Sequence, residues 1–292
     1  MEMTSPRFGD YLSLAMAKLA RLRRLKLAPG RDANCETFYE DFFDAKDLEA
    51  GEKDHRKLAR QREILSYLKQ NVPVGSGVLE VGCGMGELLV ALPDTYRLTG
   101  MEYAKRNVEI VGKLLGSKAR VLQGTIYEIP VEEETQDVCV CLEVLEHVDD
   151  DVKAVRELWR VVKPGGLLIA SVPYTYYWPD YKKLIGHFRH YTRASFENLL
   201  GENGFSVEAH LANYPGWHTA YARRYFWIRA LSMTIGRLWH RGSVYSFRWP
   251  WAGRTALQQV AARLEPLRER ESRLDYSNME TSTFVAARKR PA

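Results

Sequence analysis

Residues 78–86 read Val78-Leu79-Glu80-Val81-Gly82-Cys83-Gly84-Met85-Gly86, an apolar run that breaks at once into three glycines spaced by two. A short run of this kind suits a strand buried on both faces. Glycine then takes positive φ at little steric cost and lets the backbone approach a ligand with no Cβ in the way. Residues 86–92 read as a helix whose first turn presents unpaired N–H groups to a carboxylate or phosphate. The spacing is not that of the dinucleotide fingerprint, which needs a glycine three positions after the second one. Position 87 is Glu, so a nicotinamide oxidoreductase is excluded.

Outward from this stretch, short apolar runs alternate with amphipathic ones. Strand candidates lie at 96–101, 120–123, 138–142 and 166–172, with helical stretches at 104–115 and 150–162 between them. A helix at 193–203 ends at Gly204, and strands at 205–211 and 283–287 complete the pattern. Such alternation predicts an α/β fold, a parallel sheet covered by helices on both faces. Upstream, 55–71 is helical by the spacing of Leu58, Ile64, Leu65 and Leu68. Residues 36–50 are acidic and aromatic, and 10–27 form a basic amphipathic helix ending at Pro29-Gly30. The expected division is an N-terminal helical extension over 1–54, a core over 55–211, a helical insertion over 212–280, and the last strand with a tail over 281–292.

The chain has 292 residues, 46% hydrophobic and 27% charged, which rules out fibrous, low-complexity and wholly disordered classes. Its charge is uneven. Residues 1–30 carry six basic against two acidic side chains, residues 205–292 fourteen against six, and the middle is acidic. Cys35, Cys83, Cys139 and Cys141 form no CxxC pair, so reduced, buried thiols and a cytoplasmic setting are expected rather than a zinc or disulfide framework. The run from Tyr11 to Leu27 is interrupted by Lys18, Arg21, Arg23, Arg24 and Lys26, which fits neither a secretory signal nor a membrane span.

Twenty residues after Gly82 the second strand ends in Gly100-Met101-Glu102, where a carboxylate can accept two vicinal hydroxyls. The fourth strand runs into Asp137-Val-Cys-Val-Cys-Leu-Glu143-Val-Leu-Glu146-His147-Val, and Leu158-Trp-Arg-Val-Val-Lys-Pro164-Gly165-Gly166 precedes the fifth. Together these stretches resemble the class I S-adenosylmethionine-dependent methyltransferases, in particular the broad small-molecule group with a Glu-His pair after strand four. The resemblance covers about 78–205 and the last strand. It implies a Rossmann-like seven-stranded sheet with a reversed last strand, methyl transfer from a sulfonium, and S-adenosyl-L-methionine over the C-terminal ends of the first strands. It also implies cofactor contacts from Glu80, Gly82, Gly84, Gly86, Glu102 and Glu143. The family's usual acid after strand three is missing here: the sequence is Gln123-Gly124-Thr125-Ile126. Thr125 offers only a hydroxyl and Ile126 an apolar wall for the adenine.

Methyl transfer is an in-line displacement, so alignment is the protein's main task, worth roughly 7–11 kcal/mol. A hydroxyl acceptor also needs a base, and the candidates are His147, His187, His190 and Glu143. The alternative for Glu146 and His147 is the start and cap of the next helix. The stretch from Pro173 through Tyr191 holds seven aromatics and two histidines. Tyr174, Tyr177, Trp178 and Tyr191 are expected to contact the acceptor; the alternative is that these rings pack the loop onto the sheet. No metal is expected: His187-x-x-His190 lacks clustered carboxylates, and Asp149-Asp150-Asp151 reads as a helix start.

The 212–280 segment holds five of the seven tryptophans, ten arginines from Arg223 to Arg270, and no lysine. An acceptor lid, an oligomer contact and a peripheral membrane contact all suit that composition. The expected activity is O-methylation of a small-molecule acceptor in biosynthesis: a sugar, polyketide-like, quinol-like or lipid-linked hydroxyl. Two alternatives stand beside it. An RNA methyltransferase would use the basic aromatic insertion, although strand four lacks the Asn/Asp-Pro-Pro-Tyr arrangement and no separate RNA module is visible, so a nucleic-acid partner is disfavoured. The other is a non-catalytic cofactor-binding scaffold.

Overall fold

The computed structural model describes residues 35–42, 55–173, 186–211 and 282–291. The basic helix expected at 10–27, the 212–280 insertion and Tyr174, Tyr177 and Trp178 lie outside the described residues. Two helices, α1 (Glu36–Phe42) and α2 (His55–Asn71), precede the core. Then β1 (Gly77–Val81), α3 (Glu87–Ala91), β2 (Arg97–Glu102), α4 (Lys105–Leu115) and β3 (Ala119–Gln123) follow in strict alternation. The second half runs β4 (Gln136–Leu142), a 3-10 turn (Leu145–His147), α5 (Asp151–Val161), β5 (Val162–Pro173), α6 (Arg193–Glu202), β6 (Phe205–His210) and β7 (Ser282–Lys289).

The seven strands form one sheet in the order β3-β2-β1-β4-β5-β7-β6. β1 to β5 are parallel, and β7 runs antiparallel between β5 and β6. Strands buried on both faces must be mostly apolar on both, and β1 apart from Glu80 and β4 after Asp137 are. Leu79, Val81, Cys139 and Cys141 pack with α5 and α6 on one side; Val78, Val138 and Val140 pack with Ile64, Leu68 and Val111 on the other. Burial pushes the thiols of Cys139 and Cys141 far up. All four cysteines are free, and Cys35, expected buried, is half-exposed. The Lys163-Pro164-Gly165-Gly166 stretch, expected to precede the fifth strand, falls within the bounds of β5. It forms a bulge there, the partner jumping from Val162 to Leu167 while β4 advances from Gln136 to Val138.

The far edge is held by one buried cation. Lys289 is 1% exposed, and its Nζ donates to the Trp159 carbonyl at 3.0 Å, the Val162 carbonyl at 2.8 Å and Glu134 at 2.9 Å. The same Nζ lies 3.6 Å from the Trp159 ring centroid. Gly204 turns the chain beside that ring at φ +90°, and a Cβ there would stand 2.4 Å from the indole Nε1. Gly204→Ala is therefore expected to destabilise the protein by about 1–3 kcal/mol. Urea unfolding checks this, and a loss below about 0.5 kcal/mol would mean that the indole moves aside freely.

Candidate active site

The chain moves outward through β1, β2 and β3 and then returns to β4, so β1 and β4 flank the point where the sheet reverses direction. In open α/β sheets ligands bind in the crevice beyond the carboxyl ends of the strands at such a point. Gly82 follows β1 there, and Glu143 follows β4.

The glycine turn is shaped by necessity. Gly82, Gly84 and Gly86 have φ of 71°, 55° and 74°. A Cβ at Gly82 would stand 2.5 Å from Val144 Cγ2, and one at Gly86 2.7 Å from Val111 Cγ1. Glycine is the residue that fits both the angle and the space. The helix that follows, α3, has only five residues, shorter than the 86–92 stretch read from the sequence.

Glu102 sits across from this turn, 4% exposed. Its Oε2 accepts the Gly84 N–H at 2.8 Å and its Oε1 the Ala104 N–H at 3.2 Å. Burial raises its pKa, and the backbone N–H groups of Ala104, Gly84 and Tyr103 oppose that rise. Glu80, on β1, is 6% exposed, and its Oε2 has no hydrogen-bond partner. Burial first, then the charge of Glu87, lifts its carboxyl to about 8. Thr125 forms an isolated bridge with Glu128, and Ile126 is buried beside Met101 and Ile129.

At the end of β4, Glu143 has φ 55°, the left-handed region that costs a residue with a side chain of order 1 kcal/mol or more. Its Oε1 accepts the Ser171 hydroxyl at 2.8 Å and lies 3.5 Å from Arg60 Nη1. Three residues on, Glu146 is 1% exposed, and neither carboxylate oxygen has a hydrogen-bond partner. Burial, with the charge of Glu143, pushes its carboxyl well above the usual range. Glu146 and His147 occupy the 3-10 turn, and α5 is capped instead by Asp150, whose Oδ1 accepts the Lys153 N–H at 2.9 Å. Burial lowers the His147 pKa to about 4, against a hydrogen bond to the Gly186 backbone.

Two loop histidines join this turn. The His187 ring centroid lies 4.4 Å from that of His147, its Nε2 lies 4.0 Å from Glu146 Oε1, and its Nδ1 is 2.7 Å from His190 Nε2. His147, His187 and His190, proposed from sequence as separate candidates, are thus one cluster beside Glu146, while Glu143 is held by Ser171 and Arg60 and acts on Glu146 through its charge. Tyr191 has a different task from the acceptor contact expected of it. It is 4% exposed, its hydroxyl donates to Asp151 Oδ2 at 2.8 Å and lies 3.2 Å from the Leu145 carbonyl, and its ring packs on Phe196. It ties the 3-10 turn to α5.

Four residues that sequence reasoning did not single out complete the site. Arg60 and Ser171 reach Glu143 from α2 and β5. Glu36, on α1, accepts the Lys105 N–H and the Gln123 side-chain amide, both at 3.0 Å. Tyr39 stacks edge-on with Tyr103 at 6.0 Å and His147 at 5.9 Å, so α1 reaches from the end of β2 to the 3-10 turn. Only the acidic and aromatic character of 36–50 hinted at this.

Comparison with known proteins agrees with the architecture. Residues 79–170 match the family described as methyltransferase domain. A protein from Mycolicibacterium smegmatis named as a probable S-adenosylmethionine-dependent methyltransferase is 29% identical over 161 residues, covering 54% of this chain and 62% of that protein. The ubiquinone biosynthesis O-methyltransferase of Vibrio parahaemolyticus is 36% identical over 102 residues, 33% of this chain and 43% of that one. The chain therefore spans less than two thirds of the length of either relative. Phosphoethanolamine N-methyltransferase 2 of Haemonchus contortus, solved with S-adenosyl-L-methionine, superposes with a TM-score of 0.55 at 13% identity. The superposition covers 89% of this chain and 59% of that one, and shares the fold.

The residues present fit S-adenosyl-L-methionine. The buried Glu102 carboxylate, held at the tip of β2 by the Gly84 and Ala104 N–H groups, suits vicinal ribose hydroxyls, the orphaned buried oxygen of Glu80 suits an ammonium, and the glycine turn leaves its backbone uncovered by Cβ atoms. Strand order, glycine turn, the carboxylate at the tip of β2 and the matched family together make this core a class I S-adenosylmethionine-dependent methyltransferase domain.

Proposed function

We propose that the protein transfers a methyl group to a hydroxyl of a small-molecule acceptor. The observation that carries this reading is the meeting, at one sheet reversal, of the Glu102 cofactor carboxylate side with the Glu143–His147 segment and the imidazoles of His187 and His190. Bound S-adenosyl-L-methionine supplies a methyl carbon activated by positive sulfur. The protein then has two tasks, alignment and removal of the acceptor proton. Glu102 and the Gly82–Gly86 turn hold the nucleoside end, and Glu80 takes the ammonium of the amino-acid end. Glu143 is fixed by Ser171 and Arg60 at the end of β4, which orients it for positioning. The acceptor proton leaves toward the histidine cluster. Similarity to a protein named as a ubiquinone biosynthesis O-methyltransferase supports a quinol- or catechol-like hydroxyl over a sugar.

The test of acceptor class is mass analysis of products after incubation with cofactor and separate catechol, quinol, glycoside and amine panels. Methyl ethers on the oxygen acceptors support the reading, and methylation confined to nitrogen or carbon overturns it.

The role of Glu80 has its own pH signature. In the ligand-free protein its carboxyl titrates near 8, under the influence of burial, Glu87, Arg60 and Glu102. A cation beside it favours the ionised form. Cofactor affinity is therefore expected to rise as pH rises toward 8, with a proton released on binding, and to flatten above it. Calorimetry in buffers of different ionisation enthalpy measures the proton, and Glu80→Gln should lose both the release and the slope. An unchanged slope in that variant would assign the proton elsewhere.

A further inference from the structure

We infer that Glu146, His147 and His187 form a binding site for a divalent transition-metal ion of the zinc class. One ligand atom from each of the three lies within 4.8 Å of the other two. Two imidazoles and one carboxylate are the ligand set of zinc sites that keep a fourth position open. Both oxygens of Glu146 are buried without a hydrogen-bond partner, an arrangement that costs free energy unless something binds them. His147 Nδ1 is also buried and unpartnered. Its hydrogen bond to the Gly186 backbone therefore comes from Nε2, which leaves Nδ1 as the lone-pair nitrogen. On the opposite side His187 turns Nε2 toward Glu146, while Nδ1 faces His190 Nε2 at 2.7 Å. A proton on His187 Nδ1, donated to His190, makes Nε2 a lone pair. This is the usual way an outer group fixes a metal-binding imidazole. His190 is then a positioning residue, which explains why the His-x-x-His spacing is not itself a ligand pair.

The ion would need modest closure. Ligands at 2.0–2.1 Å in tetrahedral array stand about 3.4 Å apart, so the 4.0 Å gap between His187 Nε2 and Glu146 Oε1 contracts by roughly 0.6 Å. The Phe188 N–H already donates to the Glu146 carbonyl at 2.7 Å, so backbone holds the two segments together before any ion arrives. Bound there, the ion would pin the 186–190 loop onto the turn after β4. If an acceptor hydroxyl reaches the ion's fourth position, the ion would acidify it. That last consequence rests on the proposed function, but ion binding does not.

The test needs no turnover. The full chain is stripped with a chelator, desalted, and titrated with Zn²⁺ against a chromophoric competitor. One tightly held zinc per chain is expected. Glu146→Gln and His187→Ala should each lose at least about 100-fold in affinity, and His190→Ala about 10- to 100-fold. His210→Ala, on β6, whose ring pairs with Glu197 of α6 at 3.3 Å, should bind zinc as the wild type does. Cobalt substitution gives a second readout, a visible spectrum of low-coordinate Co²⁺ that Glu146→Gln abolishes while circular dichroism stays native. Wild-type protein that holds no stoichiometric zinc overturns the site. So does equal retention by Glu146→Gln and His187→Ala. Failure of every hydroxyl acceptor in the product assay would overturn the proposed reaction and leave the zinc stoichiometry unaffected.

Discussion

Glu102→Ala is expected to bind S-adenosyl-L-methionine about 10- to 150-fold more weakly than the wild type. The range corresponds to loss of charge-assisted hydrogen bonds worth roughly 1.5–3 kcal/mol. The carboxylate is held in place by the Gly84 and Ala104 N–H groups, so it reaches the crevice already oriented. The same two bonds mean that the substitution also leaves two backbone donors without their acceptor. A binding loss could then come from a slackened glycine turn rather than from missing ribose contacts. Adenosine and its 2′,3′-dideoxy analogue separate the two causes. If Glu102 binds the ribose, wild-type protein prefers adenosine and the variant does not discriminate. Full-strength cofactor binding by Glu102→Ala would sink the ribose assignment outright.

The cofactor half of the site was legible because its signals are local. β1, the glycine turn and the tip of β2 lie within about 25 residues of one another, and each residue type answers a steric or charge requirement of its own position. The strands were readable for the same reason, down to β7 on the far side of the insertion, which pairs with β5 as the family resemblance implied. The acceptor half was less legible because long-range contacts assemble it. Arg60 and Ser171 are 111 residues apart in sequence, and neither has a neighbour that announces its role. Tyr191 shows the limit from the other side. An aromatic in a functional loop looks the same from sequence whether its ring faces a ligand or the core, and here Phe196, Asp151 and the Leu145 carbonyl decide for the core. The histidines were found one by one, but nothing in their spacing said that His187 would stand over the turn that carries Glu146 and His147.

That convergence makes His147 the residue whose loss should cost most in turnover. His147→Ala is expected to keep cofactor affinity within a few-fold and to lower kcat by about 10²-fold or more, the usual contribution of a group that assists proton transfer. The separation follows from position: His147 lies in the 3-10 turn after β4, while Glu102 and the glycine turn hold the cofactor from β1 and β2. Its role can be expressed in two ways, as proton acceptor or as ligand of an ion that acidifies the hydroxyl, and both predict the same loss. His190→Ala distinguishes them. As an outer partner of His187 it should lower turnover in proportion to zinc affinity, so added Zn²⁺ restores its rate; His147→Ala, lacking a ligand, is not restored. If zinc rescues neither variant and His190→Ala turns over normally, imidazole alone takes the proton. If His147→Ala itself turns over at the wild-type rate, neither chemistry passes through this residue, and alignment by Glu143, Ser171 and Arg60 carries the reaction.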